Sequence, residues 1–89
     1  MAGSPYRVEF SAKAARQFTS LPLKVQKFLK PRLEGLTENP RPQAVTKLSE
    51  YESLFRLRAG VYRIFFEVQE SDEVILIVKV GHRREVYRK

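Results

Sequence analysis

Arginine side chains recur at alternate positions in the second half of this chain. Arg56 and Arg58 alternate with apolar residues, and Arg63 follows a tight turn or bulge that we predict at Ala59–Gly60. Residues two apart in a strand share a face, and a short turn pairs the strands that it joins. We therefore expect the three arginines on one face of a sheet, where planar guanidinium groups suit a phosphate backbone.

The next strand and the tail after it extend this set of candidates. Lys79 lies on the same face if Val78 and Val80 point the other way. Glu67 is the only acidic residue that the hairpin strands are expected to add there, whereas a merely solvated face usually mixes charges of both signs. A solvated polar face is the alternative interpretation. The tail contributes four more candidates, which are His82, Arg83, Arg84 and Tyr87.

Such a face supports RNA cleavage without a metal ion or cofactor, and we expect neither. The RNA 2′-hydroxyl attacks the adjacent phosphate, and each fixed cationic donor aimed at the phosphorane contributes ~10²–10³-fold. For proton transfer, His82 suits neutral pH, although a lone histidine is often structural. Tyr87 becomes a base if neighbouring arginines favour its phenolate; it can instead stack on a nucleobase or pack on the sheet edge. The sequence leaves these roles open.

Composition sets the class of protein. The 89 residues suit a single domain over residues 1–89. The 17 Lys+Arg against 10 Asp+Glu give a net charge of +7, which favours a polyanionic partner such as nucleic acid or an acidic protein. The absence of cysteine excludes disulfides and thiolate zinc sites. The apolar run Val74–Val78 is far shorter than the ~20 residues of a membrane span. Without a signal-peptide pattern, we expect a cytoplasmic protein with no membrane partner.

Helical periodicity dominates the first half of the chain. Tyr6–Phe10 alternates like a short strand, and Ser11 suits the N-cap of a first helix. Leu21–Pro22 ends that helix, and the proline suits the first turn of a second helix. Pro31 predicts a kink there, or a division into two shorter segments. The apolar residues at helical spacing in the second helix are Val25, Phe28, Leu29, Leu33 and Leu36.

Beyond a loop predicted at Asn39–Pro42, the periodicity changes to that of strands. Val74–Val80 is apolar on both faces, which predicts a central strand. The order strand, helix, helix, strand, strand, strand predicts an α+β fold, with two N-terminal helices on one face of a four-stranded, mainly antiparallel sheet. The core-facing positions of the hairpin are expected to be Phe55, Leu57, Tyr62, Ile64, Phe66 and Val68.

An ordered set of short segments resembles the RelE toxins of bacterial and archaeal toxin–antitoxin pairs. The set covers nearly the whole chain and comprises Asn39–Pro42, Lys47–Leu48, Leu54–Arg58, Tyr62–Ile64 and Val80–Tyr87. The resemblance implies a βααβββ fold and an endoribonuclease, an mRNA interferase, that cuts mRNA in the ribosomal A site and so inhibits translation. It also implies that a cognate acidic antitoxin binds the toxin and inhibits it.

The resemblance carries roles to individual residues. Arg56 and Arg63 match basic positions before and after the turn, and Tyr87 matches a C-terminal tyrosine proposed as base or stacking group. Arg83 matches a tail arginine, or Arg84 does if the tail spacing differs. Some members carry lysine where Arg56 stands, and arginine does not readily give up a proton, which favours Tyr87 as base. Lys47 matches a basic residue before the hairpin, whose role is either structural or a contact with the RNA backbone. Together with the residues that the strand pattern and side-chain chemistry supply, the candidate catalytic set is Arg56, Arg63, His82, Arg83 and Tyr87, and the candidate RNA contacts are Lys47, Arg58, Lys79 and Arg84.

Three other functions compete with this interpretation. A toxin of the ParE type shares the fold and inhibits DNA gyrase without cutting RNA, and a shared fold does not decide function. A non-catalytic RNA-binding module would need aromatic stacking platforms, and Phe65 is the only aromatic expected on the open face. The basic second helix gives weak support to a membrane-surface binder, but the apolar stripe of that helix is needed for the core.

Overall fold

The computed structural model describes residues 6–39, 45–48 and 54–86, apart from the side chains of residues 85 and 86. Three helices and five strands make up this part of the chain. In order they are β1 (Arg7–Phe10), α1 (Ala12–Thr19), α2 (Leu23–Gly35), β2 (Val45–Lys47), β3 (Leu54–Ala59), β4 (Tyr62–Gln69), β5 (Val74–His82) and α3 (Arg83–Val86).

The strands form one mixed sheet in the order β1-β5-β4-β3-β2. Only the β1–β5 pair is parallel, and the predicted central strand is β5. The α+β class is therefore confirmed, with five strands where four were expected. The additional strand, β2, has three residues, too few for an alternating pattern, and its pairing with β3 defines it. Pro40–Pro42 of the predicted loop lie outside the described residues.

The first helix begins at the predicted cap. Ser11 Oγ accepts a hydrogen bond from the backbone N–H of Ala14 at 3.1 Å, which satisfies one orphan donor of the first turn. The Ser11 backbone N–H donates to the carbonyl of Ile77 at 2.9 Å, so the cap also continues the parallel pairing with β5. Farther along β5, the side-chain oxygen of Gln17 in α1 accepts a hydrogen bond from the Val80 N–H at 2.8 Å, which β1 is too short to reach.

The second helix runs unbroken through Pro31. Pro22 is its N-cap residue and lies just before the first turn that we predicted for it. The alternative of two shorter segments is wrong. Proline removes the bond to the carbonyl four residues earlier, here that of Lys27. Lys27 and Pro31 are both exposed, so the helix continues with that carbonyl on its solvent side, where hydration offsets the lost bond.

The core lies between the helices and one face of the sheet. As predicted, Leu29, Leu33 and Leu36 are buried, whereas Phe28 is 39% exposed and packs at the rim. Ser11 and Pro22 are the N-cap residues of α1 and α2, and α1 contributes the buried Ala14 to the core. The strands bury Phe55, Leu57, Ala59, Ile64, Phe66, Val68, Ile75, Ile77 and Val80 against them.

A bulge interrupts the alternation between β4 and β5. Phe65 pairs with Lys79, but Phe66 pairs with Ile77, which leaves Val78 without a directly opposed residue. Ile77 and Val80 are both buried in the core, an arrangement that strict alternation forbids. We expected Lys79 on the face opposite the helices if Val78 and Val80 pointed toward them. Val80 does so, whereas Val78 is the extra residue of the bulge and is half-buried.

None of the helices in the described part of the chain is long and apolar enough to span a bilayer. The turn between β3 and β4 forms at Gly60 and Val61, one residue later than predicted, because Ala59 is still the last residue of β3. Gly60 adopts a φ of 61°, a left-handed conformation that costs an L-residue ~1–2 kcal/mol. A Cβ added there would contact the Phe28 ring at 3.6 Å, an ordinary van der Waals distance, so the restriction is conformational.

Two glycine substitutions test this assignment. Gly60→Ala should lower the free energy of unfolding by about 1–2 kcal/mol, because alanine is strained at a positive φ. Gly35→Ala is the matched control: it is helical, nothing lies within 4 Å of its added Cβ, and its stability should stay unchanged or rise by up to ~1 kcal/mol. Urea denaturation measures both, and equal effects would contradict the turn geometry.

Candidate functional site

The sheet face turned away from the helices, here called the open face, gathers most of the predicted cations. Arg56 pairs with Phe65, and Phe65 pairs with Lys79, so these three side chains form one row across β3, β4 and β5. Arg58 and Arg63 pair directly in the neighbouring row. The predicted grouping of Arg56, Arg58, Arg63 and Lys79 on one face is confirmed.

The guanidinium of Arg63 is held by the turn that precedes it. Its Nη1 donates to the carbonyl of Gly60 at 2.8 Å and to that of Tyr62 at 2.9 Å. The side chain is half-buried, so it loses less conformational freedom on binding than a fully mobile arginine would. The Nε and Nη2 hydrogens are the donors that it can offer to an anion.

Arg58 and Arg63 stand directly opposite each other on adjacent strands. Like charges in this position destabilise a sheet, typically by a few tenths to ~1 kcal/mol. The carbonyls of Gly60 and Tyr62 offset part of this repulsion at Arg63. An anion bound between the two guanidinium groups would remove the rest, which makes the pair a candidate phosphate site.

The acidic residues of the open face lie at its other end. Glu67 pairs with Leu54 and with Leu76, and Leu76 pairs in turn with Glu9 of β1, a residue that the sequence analysis did not place there. Glu9 accepts a hydrogen bond from Arg7 Nε at 2.8 Å. The open face is therefore divided into a basic end near the β3–β4 turn and a mixed end.

Lys47 does not join the arginines. It pairs with Phe55, so it projects from β2 toward the helix side of the sheet, and Thr46 occupies the position opposite Arg56. A basic residue before the hairpin was identifiable from the sequence, but its face was not, because β2 itself was not predicted.

His82 also lies on the helix side, opposite Tyr62, and the two rings meet edge to face with centroids 5.7 Å apart. Its Nδ1 accepts the backbone N–H of Arg84 at 3.1 Å. Through this contact His82 caps the N-terminus of α3, which begins at Arg83. Its geometry corresponds to the structural role that the sequence left open, and its ring does not lie among the open-face cations.

The two tail arginines are exposed and belong to α3, a helix that the sequence analysis missed. The backbone N–H of Arg83 donates to the carbonyl of Val61 at 2.7 Å, which fastens the start of α3 beside the β3–β4 turn. Tyr87 lies outside the described residues. A helix of four residues gives too short a periodicity to be read from sequence, and only the polar His82 before it marks its start.

The described residues hold no cluster of three or more His, Asp or Glu side chains able to bind a metal ion. What the described open face offers is fixed positive charge with hydrogen-bond donors, and one aromatic ring. This combination can bind a chain of phosphates and stabilise negative charge that develops on one of them.

Comparisons with known proteins agree with this geometry. A family model described as the ParE toxin of the type II toxin–antitoxin system parDE matches residues 8–87. The chain is similar to the mRNA interferase toxin RelE of Escherichia coli, with 30% identity over 86 residues, covering 92% of this chain and 90% of that protein. Toxin RelG of Mycobacterium tuberculosis is 27% identical over 86 residues, covering 96% and 99%.

Among solved structures, the archaeal RelE–RelB complex of Pyrococcus horikoshii is similar, with a TM-score of 0.79 and 29% identity. The match covers 91% of this chain and 98% of that chain. The element order and the mixed sheet described above are therefore those of a recurring fold.

Removal of one charge tests the repulsion between the paired arginines. Arg58→Gln should raise the free energy of unfolding by a few tenths to about 1 kcal/mol, because it removes the like charge opposite Arg63. Arg16→Gln is the matched control, since Arg16 is an exposed cation of α1, and its effect should stay within about 0.5 kcal/mol. Urea denaturation at low salt measures both, and a loss of stability in Arg58→Gln would contradict the repulsion.

Two substitutions at His82 distinguish the role of its Nδ1 atom from that of its Nε2 atom. In His82→Asn the side-chain oxygen occupies nearly the place of Nδ1 and should keep the hydrogen bond from the Arg84 N–H. In His82→Gln the oxygen lies farther out, and the bond, worth about 1 kcal/mol net, should be lost. The Arg84 amide shift and its exchange rate report the difference by NMR. If both variants alter that amide equally, the capping role is wrong.

Proposed function

The chain belongs to the RelE/ParE toxin family of type II toxin–antitoxin systems, and on that premise we propose that it is an endoribonuclease that cuts mRNA in the ribosomal A site. The observation that carries the proposal is the group Arg56, Arg58, Arg63 and Lys79 on one rigid face. Relatives at 30% identity are named as mRNA interferases, which supports the same reaction class.

The reaction is a transfer within the RNA. The 2′-oxygen forms a bond to the adjacent phosphorus, the bond from phosphorus to the 5′ oxygen breaks, and the products end in a 2′,3′-cyclic phosphate and a 5′-hydroxyl. One proton leaves the 2′-hydroxyl and one reaches the departing 5′ oxygen. The attacking group belongs to the substrate, so neither a protein nucleophile nor a metal-bound hydroxide is needed.

Arg63 would stabilise the phosphorane. Its Nη1 contacts with Gly60 and Tyr62 fix the plane of the guanidinium, and its Nε and Nη2 hydrogens would bind two phosphate oxygens. Arg58 would neutralise the same phosphate from the opposite strand. Preorganised donors of this kind are worth ~10²–10³-fold each, because they need no reorientation as charge develops.

Arg56 and Lys79 would bind phosphates next to the reacting one, since they flank Phe65 in the row beside Arg58 and Arg63. Arg83 or Arg84 would contact the phosphate chain from α3, which the Val61 carbonyl holds beside the turn. We propose Tyr87 as the base, because the arginines close to it in the sequence would favour its phenolate form. The position of His82 on the helix side favours a role in ordering α3 over proton transfer.

Such a catalyst needs another macromolecule to hold its RNA substrate in place. The cations of the open face lie on adjacent strands of a sheet, and a flexible RNA would pay a large entropic cost to adopt an in-line geometry on that surface. A ribosome that already orders the A-site codon meets that requirement. We therefore place the activity in the cytoplasm, on translating ribosomes, with the consequence that translation stops.

A partner protein would control the toxin. The structure of the similar Pyrococcus horikoshii protein is a RelE–RelB complex. The net charge of +7 in this chain would suit an acidic antitoxin that covers the basic end of the open face.

Replacement of Arg63 tests the assignment. Arg63→Ala should reduce cleavage at least ~10²-fold, because it removes a preorganised donor, and Arg63→Lys should recover little, because an ammonium lacks the planar fork. Arg16→Ala is the matched control: it removes the same charge from an exposed position on α1 and should cut normally. Primer extension on mRNA, bound to programmed ribosomes or free, locates the cuts.

Cuts confined to the A-site codon, lost in Arg63→Ala and retained in Arg16→Ala, would establish the ribosome-dependent nuclease. Wild-type rates in Arg63→Ala would mean that the assigned site is wrong. If a folded protein that is toxic in cells makes no cuts in either sample, the nuclease is excluded and inhibition of DNA gyrase becomes the better hypothesis.

A further inference from the structure

Phe65 is an aromatic side chain in a position where the sheet pattern favours a polar one. On the open face of β4 its neighbours along the strand are Arg63 and Glu67. Across the sheet it is paired with Arg56 on one side and with Lys79 on the other. The Lys79 Nζ lies over its ring, 5.9 Å from the centroid. Among the described residues of the open face, Phe65 is the only aromatic.

The hydrophobic core does not account for this ring. The next residue, Phe66, is fully buried and stacks on Phe55 with centroids 5.6 Å apart and planes at 19°. Phe65 points the opposite way, is half-buried and is not part of the core cluster. A ring flanked by two cations on a rigid sheet is the combination with which proteins hold single-stranded nucleic acid, the cations on phosphates and the ring on a base.

We propose that Phe65 stacks on a base of the bound RNA, beside the phosphate that Arg63 holds. The inference rests on the proposed function for the identity of the nucleic acid. Arg63 and Phe65 are two residues apart on one strand, so their side chains rise ~6.6–6.8 Å apart, which is comparable with the reach from a phosphate to the base of an adjoining nucleotide.

The base displaces the ammonium of Lys79 from the ring, and the long side chain of Lys79 moves to a neighbouring phosphate. Phenylalanine offers no hydrogen-bonding group, so it stacks on any base. Phe65 therefore fixes the position of the RNA without reading the codon, and its loss should weaken binding by a similar factor on different codons.

Binding to ribosomes programmed with an uncleavable codon tests this proposal. The mRNA carries 2′-deoxy sugars in the A-site codon, and a matched series lacks one base of that codon at each position in turn. The Kd of the full-length protein is measured for wild type, Phe65→Leu, Phe65→Trp and Leu23→Ala. Leu23→Ala is the control, because Leu23 is an exposed apolar residue, 69% accessible, on α2.

Phe65→Leu should raise the Kd at least about 5-fold on the intact codon, the lower end of the range for stacking aromatics. On the codon that lacks the stacked base, wild type and Phe65→Leu should bind within about 2-fold of each other, because the base that the ring contacts is gone. Phe65→Trp should bind like wild type, and Leu23→Ala should match wild type on every RNA.

Two results would overturn the proposal. If Phe65→Leu weakens binding equally on all abasic codons, or on none of the RNAs, Phe65 does not stack on a base. Cleavage of an all-ribose codon by wild type would in that case leave the proposed function intact. If wild type neither binds programmed ribosomes nor cuts the all-ribose codon, the proposed function and the stacking role both fail.

Discussion

The placement of Lys79 beside the arginines depends on one register shift between β4 and β5. The bulge opposite Phe65 and Phe66 lets Ile77 and Val80 both enter the core, so that Lys79 emerges on the open face in line with Arg56. Without that extra residue, burial of the first half of β5 would force Val80 outward and Lys79 into the core, where an unpaired ammonium is strongly unfavourable.

The β3–β4 turn is a second point on which several elements converge. The Gly60 carbonyl accepts from Arg63, and the Val61 carbonyl accepts from the backbone of Arg83 at the start of α3. The ring of Phe28 from α2 packs against the same glycine. One tight turn therefore links the helix layer, the arginine that we assign to the phosphate and the tail segment, so that distortion of the turn would displace all three.

The two faces of the sheet are stabilised in different ways. The helix side is closed by apolar packing, and the described residues contain no buried side-chain N or O atom without a hydrogen-bond partner. The open face places Arg58 opposite Arg63, at a cost to folding that an attached polyanion would reverse. Stability of the fold and binding at the open face thus make opposing demands on the same pair of residues.

The sequence by itself determined the alternation of β3 and β4, because a half-buried strand has a period of two and its apolar residues can face only one way. That alternation predicted the grouping of Arg56, Arg58 and Arg63. The order of helical and strand periodicity predicted the α+β class, and the residue type before the first helix predicted the Ser11 cap. Only the tertiary structure decided the positions of Lys47, His82 and Glu9. A short edge strand and a bulge are defined by pairing with distant residues, which leaves no local period to read, and a helix of four residues is too short to show one.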